Sequence, residues 1–302
     1  MKVQENKYLP LLFLMTLLFG FSFIATKQAL QGLGIFQVVF SRYFLALLLL
    51  SAILWKDRNK LYIARRDWKY FLLLTMVEPV GYFIFETMGI RYTSPSNVSL
   101  IIATIPVFTL IFATLMIQEK ISWLALGGIL LSLLGVYFIV SRQGETVLAP
   151  APILGNFLAI GAAISASFYN VLCRRITRSY SPLTITFYQS IVATIVFLPL
   201  AVIETLVRES NYVNNSIVLS ILYLGFGSSV AAYFLLNFAL SRLPTYRVAI
   251  FANLIPVITI FASWLVFREM LKLEQFFGAF LILLGIYLTA FRFKHKKISA
   301  NR

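Results

Sequence analysis

Apolar runs of about 20 residues follow one another along the entire chain, separated by short polar or basic stretches. A helix rising about 1.5 Å per residue needs roughly that length to cross a hydrocarbon layer of about 30 Å. The runs fall at 8–30, 35–55, 68–90, 95–117, 122–141, 152–174, 182–206, 217–241, 245–267 and 273–292, which leaves no room for a globular domain. Of the 302 residues, 60% are hydrophobic and 12% charged, more apolar surface than a soluble fold of this length can place in one core. The expectation is an all-α integral membrane protein with ten transmembrane helices.

A net charge of +15 would suit a nucleic-acid partner, but the placement of the charges argues against one. With the amino terminus set in the cytoplasm, the inner loops and tails hold 19 of the 26 Lys and Arg and the outer loops 6, while Arg42 lies inside a helix. This positive-inside bias predicts a multi-pass protein of the cytoplasmic (inner) cell membrane with both termini in the cytoplasm. The first apolar run follows Lys2 and Lys7 but is too long for a signal-peptide core, and no small-x-small cleavage site precedes Lys27, so it is read as the first helix. The single cysteine, Cys173, excludes an internal disulfide and a cysteine metal cluster. The only histidine, His295, lies in the basic tail, and the only aspartates, Asp57 and Asp67, flank an inner loop. No metal site, Asp-His catalytic set or cofactor is expected. A phosphate-binding G-x-x-x-x-G-K-(S/T) loop is also missing, which argues against direct ATP drive.

Sliding the chain against itself by 150 lays residues 98–140 on 248–290 without a gap, matching Pro106 to Pro256, Glu119 to Glu269, Gly128 to Gly278, Gly135 to Gly285 and Tyr137 to Tyr287. Apolar composition alone yields many Leu and Val coincidences, whereas Pro, Glu and Gly carry backbone or charge meaning. The chain therefore divides into residues 1–148 and 149–302, each a five-helix repeat. Five is odd, so the second repeat must sit upside down relative to the first, the plan of many secondary transporters whose site lies between the halves near the midplane.

Residues 98–140 and 248–290, with Ile-Pro-Val, a Glu closing that helix and Leu-Leu-Gly-(Val/Ile)-Tyr in the next, resemble the twin repeats of the EamA family in the drug/metabolite transporter superfamily. Phe19-Gly20-Phe21-Ser22-Phe23 followed by Lys27 in the first helix, and Arg42 in the second, extend the resemblance over essentially the whole chain. The resemblance implies a ten-helix carrier, proton-linked or facilitated, often exporting amino acids or other metabolites. The chain departs from the family pattern in Phe19, where Trp is common, and in the two acids of the third helix.

Several polar groups lie inside the apolar runs. Pro106 and Pro256 fall about 16 Å into their helices, near the midplane, where each removes a backbone donor. They are expected to kink the helices, either to line and gate a cavity or only to improve packing. Charged groups at such depth are costly. Arg42 and Glu86 lie about 10 and 6 Å from the outer helix ends, so they are expected to form an ion pair unless Arg42 snorkels. Glu78 lies about 18 Å deep, beside Pro79 and four residues before Tyr82. It reads as a proton or cationic-substrate site with Tyr82 as hydrogen-bond partner, or as a glutamic acid bonded to a neighbouring helix. Asn170, Gln189, Tyr233, Asn237 and Asn253 form an uncharged hydrogen-bonding wall suited to a neutral or zwitterionic solute, although amides also tie membrane helices together. A shift of 147 matches Arg42 to Gln189. Trp264, Phe19, Phe21, Phe23, Phe168 and Tyr169 are candidate aromatic lining.

The function these features support is a secondary transporter that moves a small organic solute by alternating access, with export of an amino acid or related metabolite favoured over multidrug efflux. Its partners would be the solute, the lipid bilayer and possible coupling protons; one ten-helix monomer suffices, though a dimer is compatible. A lipid-modifying enzyme would have to rely on Glu86 with Arg42. A channel would need a continuous polar pore.

Overall fold

The computed structural model describes residues 8–56, 61–117, 123–141, 145–208, 212–243, 248 and 251–299. Seven helices are long and apolar enough to cross a membrane, and three shorter apolar ones, Leu126–Ile139, Ile255–Phe267 and Leu273–Leu288, complete ten among the described residues. In chain order they are α1 (Leu9–Ala29), α2 (Ile35–Leu54), α3 (Trp68–Thr75, Met76–Gly81 and Tyr82–Tyr92), α4 (Pro95–Ile102 and Ile105–Ile117) and α5 (Trp123–Ser141). The second half holds α6 (Pro152–Ile176), α7 (Pro182–Val207), α8 (Asn215–Leu222, Tyr223–Ala232 and Tyr233–Arg242), α9 (Ile255–Phe267) and α10 (Leu273–Ser299). Glu119 lies outside the described residues.

The helix starts are written locally. Ser94 and Ser181 each cap a helix whose first residue is proline, accepting from the backbone N–H of Asn97 and Thr184, and Asn214 accepts from Ile217 at 2.9 Å. The start of α2 borrows its cap: both carboxylate oxygens of Glu204, from the end of α7, accept from the N–H groups of Ile35, Phe36 and Gln37 at 2.8 to 3.0 Å.

Contacts show that the helices alternate in direction. At one end Leu12 and Met15 of α1 share a buried cluster with Phe71 near the start of α3, Ile176 at the end of α6, Ile185 near the start of α7 and Leu243 after α8. At the other, Lys27 near the end of α1 meets the last carbonyls of α3 and Leu148 ahead of α6. Odd helices run from this Tyr8 end to the Lys27 end and even ones return, so α6 runs opposite to α1 and the second five-helix set is inverted.

The crossing of α5 and α10 carries the symmetry. Gly135 packs on Gly278 and Gly128 on Gly285, backbone against backbone, and the Ser132 hydroxyl donates to the Ile282 carbonyl at 3.3 Å. Under the 150-residue offset the first contact becomes the second, and Ser132 and Ile282 are each other's image. A pseudo-twofold axis therefore passes through this pair, and small residues at the crossing let the two backbones touch.

Four helices are interrupted, again in related pairs. A turn at Ala103 and Thr104 breaks α4 just before Pro106, and one at Asn253 and Leu254 precedes Pro256. Proline disfavours helical geometry in the residue before it and supplies no donor to the previous turn. In α3, Glu78 has non-helical backbone angles (φ −148°, ψ 116°) and its bond to Pro79 is cis. Residues Tyr223–Ala232 of α8, at the corresponding place, wind as a π-helix.

Candidate functional site

The interrupted helices surround a cavity of about 870 Å³, counting the space at its open side. α1, α2, α3, α4, α6, α8 and α9 contribute to its wall, which reaches Glu86 and Ser99 toward the Lys27 end and Leu240 and Val248 toward the Tyr8 end. Phe83 and Tyr233, separated by the repeat offset, touch across it with ring centroids 6.1 Å apart, so the pseudo-axis runs through the cavity.

Two polar crossings flank that axis. On one side Arg42 of α2, only 1% exposed, donates from Nη2 to Ser228 Oγ (2.8 Å) and from Nε to Ser229 Oγ (2.9 Å) on α8. Its guanidinium lies 4.3 Å above the Phe83 ring, a favourable cation–π placement. On the other side Gln189 of α7 donates to the Glu78 carbonyl of α3 at 3.3 Å. Gln189 is the repeat mate of Arg42 and Ser228 that of Glu78, so the two crossings are images of each other with different chemistry. Bonds from neighbouring helices compensate the broken backbone of α3: the Ser165 hydroxyl takes up the Val77 carbonyl at 2.7 Å, and Gln189 takes up that of Glu78.

The Glu78 side chain is 3% exposed and faces the cavity. Its Oε1 accepts from the Tyr233 hydroxyl, while Oε2 has no protein partner. The expected bond from Tyr82 does not form. Spacing of four residues brings side chains together only on an intact helix, and the backbone breaks at Glu78 itself. Tyr82 nevertheless lines the same cavity.

The expected Arg42–Glu86 ion pair does not form. Arg42 turns instead to the serines of α8, and Glu86 accepts from Thr87 at 3.1 Å. Similar depth on two helices does not fix which way they face. Both residues line the cavity, together with Asn170, Tyr233, Asn253 and Pro106.

Gln189 and Asn237 stand behind the cavity wall, tied to each other at 3.4 Å. Asn237 also accepts from the Tyr169 hydroxyl (2.6 Å) and the Cys173 thiol (3.3 Å) and donates to Thr186 (3.1 Å). Trp264 and Pro256 lie elsewhere, in an almost wholly apolar groove between α4, α9 and α10 that shares Ala103 and Asn253 with the cavity. Phe19 and Phe23 line the cavity, whereas Phe21 is exposed on the outside of α1.

Sequence reasoning missed Ser228 and Ser229, although the repeat offset would have paired Ser228 with Glu78. It also missed the closure of the Lys27 end. There Glu269 accepts from Ser263 and from Ser96 at the start of α4 (2.7 Å for Ser96), Gln275 donates to Asn97 at 2.5 Å, and Lys27 donates to the Ile90, Thr93 and Leu148 carbonyls at 2.6 to 3.1 Å. The Ser96–Glu269 and Asn97–Gln275 bonds join the two halves above the cavity, while Lys27 ties α1 to the end of α3 and to Leu148 within the first half.

Known proteins share this architecture. A solved crystal structure superposes with a TM-score of 0.67 over 94% of this chain and 96% of its own, at 18% identity, which shows the common fold. An "uncharacterized transporter YcxC" of Bacillus subtilis is 29% identical over 279 residues, 90% of this chain and 89% of that one. An "uncharacterized transporter" of Archaeoglobus fulgidus is 28% identical over 95% of this chain and 98% of that one. A "probable amino-acid metabolite efflux pump" of Escherichia coli is 27% identical over 71% of this chain and 74% of its own. The family of EamA-like transporters matches twice, over residues 6–141 and 153–291. With ten apolar helices among its described residues and two family matches that span it, this multi-pass membrane protein belongs to the EamA-like transporter family.

Proposed function

We propose that the protein exports an amino acid or related metabolite by alternating access, its halves 1–148 and 149–302 rocking about the central cavity. The observation that carries this reading is the cavity itself: it lies on the pseudo-twofold axis, is bordered by four interrupted helices related in pairs, and holds charged groups without ion-pair partners. The charge bias supports a cytoplasmic membrane with both termini inside, which puts the bonded Lys27 end outside. Export follows the name of the Escherichia coli relative. Helices of one chain enclose the cavity, which supports a monomer as the transport unit. Glu78 is the group proposed to take up a coupling proton; Tyr233, Glu86 and Arg42 are the polar or charged side chains that share its cavity.

A second reading, efflux of hydrophobic compounds, draws support from the apolar groove beside the cavity, since Ala103 and Asn253 border both.

The test is uptake of a mixed labelled metabolite pool into proteoliposomes, with and without a pH gradient, by the wild type and Glu78→Gln. Uptake that rises with the gradient, and loses that response in the variant, supports a proton-linked carrier with Glu78 in its path. Uptake that ignores both gradient and substitution defeats the coupling role and leaves a facilitator. Transport of lipophilic dyes but of no metabolite would favour the second reading.

A further inference from the structure

The two crossings that flank the axis differ in what they leave unspent. On the Gln189 side the amide is consumed within the protein: Nε2 serves the Glu78 carbonyl and Oε1 accepts from Asn237. The Arg42 side is not closed in this way. Nε and Nη2 are used on Ser229 and Ser228, but Nη1 is buried without a partner on a side chain that lines the cavity. Ser228 also lines the cavity, and because its oxygen accepts from Arg42 its O–H remains to donate. Two donors, one of them charged, are therefore left on side chains that touch each other in the cavity wall. Buried guanidinium donors without partners are costly, so a group that completes them gains more there than it would in water.

The opposite sign is presented by Glu78, whose Oε2 is buried and unpartnered on the same cavity. Met15, Ile102, Leu236 and Leu240 supply apolar wall for a hydrocarbon side chain.

We propose that Arg42 Nη1 and the Ser228 hydroxyl form the binding site for a solute carboxylate, and that Glu78 Oε2 receives the same solute's ammonium group. The assignment rests on the carrier reading above and deepens it. It selects zwitterions that carry one carboxylate, and it disfavours phosphorylated solutes, because a single guanidinium nitrogen and one hydroxyl cannot meet the three oxygens of a phosphate group. Arg42 sets specificity through its positive charge, and the symmetric position already accepts a glutamine, Gln189, so Arg42→Gln suits the local packing.

The experiment uses the full chain in proteoliposomes and three labelled probes of one carbon skeleton: L-leucine, its decarboxylated amine 3-methylbutylamine, and its deaminated acid 4-methylpentanoate. The wild type should prefer L-leucine to both analogues. Arg42→Gln should lower uptake of L-leucine and of the acid on the order of tenfold to a hundredfold, the range for losing a charged hydrogen bond, and leave the amine within about twofold. Glu78→Gln should do the reverse, sparing the acid and penalising the amine. Ser228→Ala removes one donor with little change of shape and should weaken selection for the carboxylate even if Arg42→Gln is not recovered folded. Equal uptake of L-leucine and its amine by the wild type, or an unchanged preference in both Arg42→Gln and Ser228→Ala, would overturn the assignment while leaving the carrier reading intact. Wild-type uptake of none of the three probes would defeat the amino-acid reading and this assignment together.

Discussion

Gln189 and Asn237 bring amides to the depth of the cavity without reaching it, because nearby groups saturate them: the freed Glu78 carbonyl on one side, and Thr186, Tyr169 and Cys173 on the other. A buried amide with all its partners in the protein has nothing left for a solute. Gln189→Leu is therefore expected to cost stability, about 1–2 kcal/mol for two lost bonds in a membrane interior, read as a lower thermal unfolding midpoint in detergent. Asn170 lines the cavity, and Asn170→Ala should change uptake without moving that midpoint. In the sequence the two asparagines look alike, since both lie inside apolar runs. Which of them faces the solute depends on the rotation of α6 and α8 about their own axes, and rotation is set by packing partners distant in the chain. Arg42 and Glu86 teach the same lesson: depth follows from counting residues, while direction comes from the hydroxyls of Ser228 and Ser229, more than 180 residues away.

At the scale of elements, helix starts and some breaks are legible. Ser94-Pro95 and Ser181-Pro182 announce α4 and α7, and Pro106 and Pro256 mark breaks that fall two residues earlier. The π-winding of α8 has no proline to announce it and is recognised only because it mirrors the break in α3. Glycines at the α5–α10 crossing are used for contact. A Cβ at Gly135 would lie 2.5 Å from the Gly278 carbonyl oxygen and 2.9 Å from the Ile282 nitrogen, both backbone atoms that cannot step aside. Gly135→Ala should thus destabilise by about 1–3 kcal/mol through overpacking. Gly127, nearby on the same helix, has no neighbour within 4 Å of such a Cβ, and Gly127→Ala should be neutral or stabilise the helix by up to about 1 kcal/mol. Thermal unfolding of the two variants side by side checks the contrast, and equal effects would count against a close crossing.

For the molecule as a whole, the bonds at the Lys27 end hold the halves together above the cavity. Glu269 and Gln275 belong to the second half, Ser96 and Asn97 to the first. If these bonds favour the closed state, Glu269→Ala should open it more often. A cysteine placed at Ser99, buried on the cavity wall, would report the change to a membrane-impermeant thiol reagent applied from the Lys27 side, since Cys173 is fully buried and does not compete. Labelling should accelerate about three- to tenfold, the shift expected from losing about 1 kcal/mol of charge-assisted bonding. An unchanged rate would mean that the Glu269 bonds are not what keeps this end shut.

By itself the sequence determined the membrane class, the helix count, the repeat offset and hence the inverted relation of the halves, because each follows from one-dimensional quantities: run length, periodic identity and the parity of five helices. It also marked most of the polar residues that line the cavity, since polar groups in long apolar runs are rare enough to stand out. The tertiary structure decided which of them share a surface. It sent Arg42 to the serines of α8 rather than to Glu86, gave Glu78 to Tyr233 rather than Tyr82, withdrew Gln189 and Asn237 behind the wall, and left Trp264 in a separate groove. Those outcomes depend on helix rotation and on where the backbone breaks, and both are fixed by packing between segments that the chain order keeps far apart.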